Sequence, residues 1–153
     1  MSELPNAESL AGMVSGVTRT MFGITFSLDG EAAEPWHEQP TWRTVVLTIH
    51  GRRPLTVAIA SDKPGGEALG GVMFACAPDK VDATMIDDSL SELVNIIAGQ
   101  VKSAMGLDAQ LGLPSIVEKP DDVHAPSWRS ATLRRDGGDA VRVWVAIRET
   151  QSS

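Results

Sequence analysis

Asp88, Glu92, Asn95 and Gly99 are spaced four, three and four residues apart, and on a helix that spacing stacks side chains along one ridge. The ridge reads as a carboxylate, a second carboxylate, an amide, and then no side chain. Ionised carboxylates only accept hydrogen bonds, whereas an amide both donates and accepts. Such a ridge suits contact with a cationic, hydrogen-bonding surface. Asn is a poor helix former, and an interior Gly costs about 1 kcal/mol relative to Ala. Their presence in mid-helix calls for a reason, and the close approach of another surface supplies one.

Other polar residues form no comparable group. His37, His50 and His124 are far apart and lack neighbouring ligands at metal spacing, so a zinc site is not expected. His50, which ends a strand before Gly51, is expected at the surface or in a turn. Cys76 is the single cysteine, which excludes an internal disulfide, and its apolar run Val72–Cys76 points to a buried structural thiol. Ser115 has no Gly-x-Ser-x-Gly setting. Gly65-Gly66 and Gly70-Gly71 lack the Gly-Lys-Ser/Thr ending of a phosphate loop.

The element carrying the ridge is the strongest helical pattern in the chain, Thr84 to Met105. At about 100° per residue, Ile86, Leu90, Leu93, Ile97, Val101 and Ala104 gather on the side opposite the ridge and form the core face. Thr84 with Asp87 resembles a capping pair, and Gly106 fits a C′ position. Before it, Leu10, Met13, Val14, Val17 and Met21 predict an amphipathic helix over Asn6–Met21, ended by Gly23. Ile24–Leu28 reads as a strand, residues 31–41 as a loop, and Thr44–His50 with Pro54–Ala60 as a hairpin about Gly51-Arg52-Arg53. Lys63-Pro64-Gly65-Gly66 reads as a break before a short helix at Glu67–Cys76. Ala109–Val117, Trp128–Arg134 and Ala140–Arg148 read as strands, the last two joined at Asp136-Gly137-Gly138. Trp128 and Trp144 fall in strands as core or interface residues. Consecutive strands on tight turns predict an α+β fold, an antiparallel or mixed sheet with helices on one side.

At 153 residues the chain fits one domain, residues 1–153. A formal charge of −7 and scattered Lys and Arg argue against a nucleic-acid binder. No signal peptide and no apolar run of about 20 residues is visible, so no membrane span is expected and the reading is cytoplasmic.

The run Asp88-Ser-Leu-Ser-Glu92-Leu-Val-Asn95-Ile-Ile-Ala-Gly99 resembles the acidic-or-Ser, x3, Glu, x2, Asn signature of the CheC, CheX and FliY chemotaxis phosphatases. Asn95-Ile96-Ile97-Ala98-Gly99 and the downstream Leu111-Gly112-Leu113-Pro114-Ser115 are most similar to the CheX branch. Element order agrees over nearly the whole chain. The helix-to-strand connection before Pro114 is shorter than usual, the loop with Pro35, Trp36 and Pro40 is individual, and a single Glu-x-x-Asn copy fits CheX.

The resemblance implies hydrolysis of the phospho-aspartate of a CheY-type response regulator. That receiver domain would bring its own Mg²⁺, and the chain itself would bind no cofactor. Asn95 would position the attacking water, Glu92 would pair with the receiver's lysine, and Asp88, rather than the rotated Ser89, would add a peripheral contact. Gly99 would let the partner approach. The family also implies a homodimer paired through its sheets. The competing reading is a non-catalytic protein-binding module of the same fold, as in FliM; a small-molecule-binding α+β domain has no supporting motif.

Overall fold

The computed structural model describes residues 3–30, 43–117, 128–137 and 141–150. The expected loop over 31–41, with His37, and the residue His124 lie outside these segments, as do Gly138 and Ala140 of the last hairpin.

Asn6 caps the first helix, α1 (Ala7–Val17), its Oδ1 accepting the Ser9 N–H at 2.8 Å. Leu10, Ala11, Val14 and Val17 are its buried face. The expected last turn differs. The chain widens into a π turn at Thr18–Phe22 before Gly23 ends it with φ +66°. The extra residue in that turn breaks the 3.6-residue phase, so Phe22 is buried and Met21 is exposed.

The strands are β1 (Phe26–Gly30), β2 (Arg43–His50) and β3 (Leu55–Ser61). Helix α2 (Lys63–Met73), a 3₁₀ turn at Pro78–Lys80 and helix α3 (Ala83–Ala104) follow. Among the described residues four more strands follow: β4 (Gln110–Leu111), β5 (Ser115–Val117), β6 (Arg129–Arg135) and β7 (Arg142–Glu149). They form one sheet in the order β1-β6-β7-β3-β2, with β4 and β5 both pairing with β2 at its far side. Every pairing is antiparallel. The α+β architecture is therefore the one expected.

Strand alternation divides the sheet into two faces. Val45, Leu47 and Ile49 of β2, Leu55, Val57 and Ile59 of β3, and Val143, Val145 and Ile147 of β7 join the helices in the main core. The other face carries Ala58, Ala60, Trp144 and Ala146 as a smaller cluster with Trp128 at its margin. The two indole rings lie 6.4 Å apart, and the Arg148 guanidinium sits 4.5 Å over Trp128.

Two expectations about α2 need correction. The helix begins four residues early, at Lys63, because buried Asp62 caps it with Oδ1 accepting the Gly65 N–H at 2.7 Å. Gly65 and Gly66, expected in a break before the helix, lie within its first turn. A Cβ on Gly66 would lie 2.6 Å from Cγ2 of Ile86, and one on Gly70 would lie 2.6 Å from Cγ1 of Val81. Small residues there let α2 lie close against the start of α3. Cys76, expected to be buried, is half-buried against the edge of that core.

Candidate functional site

The ridge depends first on where α3 starts and how it is turned. Its cap is Asp82, not Thr84: Asp82 Oδ1 accepts the Met85 N–H at 2.9 Å, and Met85 Sδ lies 3.4 Å from the Asp82 N–H. Thr84 is exposed in the first turn. Asp87, freed from that expected role, is buried and meets Arg43 at the start of β2. Arg43 Nε donates to Oδ1 at 2.5 Å and Nη2 to Oδ2 at 2.6 Å. This two-point contact fixes orientation as well as distance. The carboxylate also raises the Arg43 pKa above its ordinary value, chiefly through the hydrogen bond and against the cost of desolvation. Asp87 immediately precedes Asp88, so the pair pins the rotation of the helix at the head of the ridge.

Packing completes the positioning. Ile86, Leu90, Leu93, Val94, Ile97, Ala98 and Val101 are buried. Ala104, expected to face the core, is exposed; the helix ends there, and Met105 turns inward just before Gly106 at φ +63°. Ser89 is buried with Oγ donating to Met85 O at 2.8 Å, so it is off the ridge.

The opposite side is open. Asp88 and Asn95 are exposed, and Glu92 and Gly99 are half-buried. Neighbouring side chains along such a ridge stand roughly 6 Å apart at Cβ. Among the described residues no hydrogen bond or ion pair occupies the side chains of Asp88, Glu92 or Asn95. Gly99 is not required by packing within the chain: a Cβ there would meet only Leu111 Cδ1, at 4.0 Å. The structure thus brings all four residues onto one accessible face. Two acidic groups and an amide can grip a cationic surface, and the open glycine lowers the floor beside them.

The sequence reading missed Arg43. Its only trace was an acidic residue, Asp87, at an inward-facing helical position, which demands a buried partner. Among the described residues no three His, Cys, Asp or Glu side chains gather as a metal site, and no helix is long and apolar enough to cross a membrane. His50 is exposed at the end of β2.

Residues 43–127 match the family model described as Chemotaxis phosphatase CheX. The chain belongs to the CheX family. Curated proteins yield no match to it. Among solved structures it is similar to CheX in the CheX–CheY–BeF3–Mg²⁺ complex from Borrelia burgdorferi, with 14% identity and a TM-score of 0.72 over 97% of this chain and 100% of that one. It is similar to the chemotaxis protein CheX of Vibrio vulnificus, with 12% identity and a TM-score of 0.69 over 91% of this chain and 92% of that one. It is also similar to CheX of Desulfovibrio desulfuricans, with 16% identity and a TM-score of 0.67 over 92% and 96% of the two chains. At these identities the likeness to CheX structures establishes the fold. The matched family segment contains the ridge and Arg43 but not α1 or the closing strands.

Proposed function

We propose that this protein hydrolyses the phospho-aspartate of a CheY-type receiver domain, with the α3 ridge entering the receiver's site. The observation that carries the reading is an Asn–Glu pair left open on a helix otherwise locked in place. A purely structural helix face has no need of mid-helix Asn and Gly together.

The receiver contributes the phosphoryl group and its Mg²⁺. Water attacks phosphorus, the bond from phosphorus to the aspartyl oxygen breaks, and the products are free aspartate and inorganic phosphate. Phosphoryl transfer of this kind is governed by positioning and electrostatics. The Asn95 amide holds the water in line, accepting from it while its NH₂ faces the phosphoryl oxygens, and it remains neutral beside them. Glu92 pairs with the receiver lysine next to the phosphorylated residue. Asp88 contacts the rim, and Gly99 gives the receiver backbone room. The protein works as a homodimer, which sedimentation at micromolar concentration tests; a monomer there removes that part.

Phosphate release from a panel of phosphorylated single-domain receivers with Mg²⁺ decides the matter. Wild-type protein accelerates release from at least one receiver, and Asn95→Ala lowers that acceleration by about 100-fold while melting like wild type. Binding without acceleration selects the non-catalytic, FliM-like module instead. Acceleration that survives in Asn95→Ala removes the water-positioning role.

A further inference from the structure

Among the described residues Leu113 is the most exposed large apolar side chain, at 87%, and Ile116 is next at 56%. Both belong to the outer edge beside β2. There Ile49 pairs with Leu111 and Val46 pairs with Ser115. Between those pairs, Leu47 and Thr48 of β2 face three residues, Gly112, Leu113 and Pro114. One residue is therefore inserted on the edge side, which makes a β-bulge, and bulges re-aim side chains. The single strand expected over Ala109–Val117 is broken at this point into β4 and β5.

The bulge is held at both ends. The Gly112 N–H donates to Thr48 O at 2.7 Å, and Ser115 resumes the ladder. Leu113, immediately before Pro114, is restricted to extended backbone. The backbone that carries this exposed leucine is thus restrained. Guarding a sheet edge accounts for the bulge, but a polar residue would serve that purpose better.

This edge adjoins the ridge. Leu111, two residues earlier, is the side chain nearest the open position at Gly99. Ile116 pairs with Val45, whose side chain faces the helices, so Ile116 emerges on the side of the sheet where α3 lies. Gly99 forms the low floor between the acidic ridge and an apolar shoulder.

We infer that Leu113 and Ile116 dock the receiver domain as Asn95 enters its site. They select receivers that present an apolar side chain near the lysine that Glu92 pairs with. The inference rests on the phosphatase reading and adds to it a determinant of which receiver is used. Contacts carried on a fixed backbone lower the ordering cost of binding.

The test measures binding of single-domain receivers loaded with beryllofluoride and Mg²⁺, beside phosphate release. Leu113→Ser weakens binding about tenfold and raises the half-saturating receiver concentration equally, with kcat unchanged. Ile116→Ser weakens binding less, Leu113→Met restores it, and Leu28→Ser, on β1 at the opposite edge, leaves it unchanged. Wild-type binding by both serine variants at the shoulder overturns the inference and leaves the phosphatase reading intact. Equal losses in Leu28→Ser and Leu113→Ser overturn it as well, since the effect is then not local. Binding of no receiver by the wild type removes both readings together.

Discussion

Helices α2 and α3 both carry glycines in their interiors, and for opposite reasons. In α2 the space that a methyl would take is already filled: Gly66 abuts Ile86 and Gly70 abuts Val81, each with 2.6 Å between the missing Cβ and the nearest atom. In α3 the space above Gly99 is empty to 4.0 Å. Their caps differ likewise. Asp62 at the head of α2 is buried and also accepts the Arg142 N–H at 3.1 Å, tying helix to sheet. Asp82 at the head of α3 is exposed and serves its own helix. Helix α2 is thus fitted to the rest of the chain, whereas α3 presents one face that the chain leaves unused. On the proposed function, this glycine, which costs helix stability and relieves no internal crowding, is where the receiver comes close.

The harshest test of that contrast is Gly66→Val. Its two γ-methyls and its Cβ have no place beside buried Ile86, so α2 must lift from α3 or the core must shift. Overpacking of this sort costs about 1–3 kcal/mol and sometimes more. Urea unfolding should show a loss at the upper end of that range, with phosphatase activity falling as the ridge loses its support. A variant as stable as wild type would mean that α2 does not position α3.

Gly99→Ala should move stability the other way. The site is helical, its φ is not in the left-handed region, and the added methyl meets only a distant Leu111 methyl. A gain of about 0.5–1 kcal/mol is expected from helix propensity alone. Phosphate release from the receiver should nevertheless fall several-fold through a raised half-saturating receiver concentration. A stabilised variant with unchanged activity breaks the comparison, because Gly99 would then serve neither packing nor partner.

The same two helices show what could be read from the residues. The inward stripe of α3 and its outward ridge follow from a 3.6-residue period, and both lie where the spacing puts them. Hairpin pairing of β2 with β3 followed from apolar runs about a short turn. Features set by distant contacts were not legible. The Asp62 cap on α2 is a local contact with Gly65, three positions on, but its second donor, the Arg142 N–H, comes from β7 eighty positions later. The π turn at Thr18–Phe22 and the bulge at Leu113 each insert one residue against a local period, and only the neighbouring elements fix where the slip occurs. Asp87 looks like part of a local capping pair because its partner, Arg43, lies 44 positions away.

Burial also changes how Asp62 titrates. Removal from water raises the Asp62 carboxyl pKa, against the lowering effect of the N–H groups of Arg142 and Gly65 and the nearby Arg142 charge. The folded protein therefore holds this proton more tightly than the unfolded chain, whose aspartates titrate near 3.9. The stabilisation that the proton brings is complete below about 3.9 and is lost as pH rises through the higher folded value. Asp62→Asn keeps an oxygen able to accept from Gly65 and Arg142 but has no proton to lose. The stability of wild type minus that of Asp62→Asn, from urea unfolding across the acid range, should be most positive at the lowest pH and should decline as pH rises. A difference for Asp62→Asn that rises with pH would mean that the backbone N–H groups outweigh burial, and that α2 is held by a charge rather than by a fit.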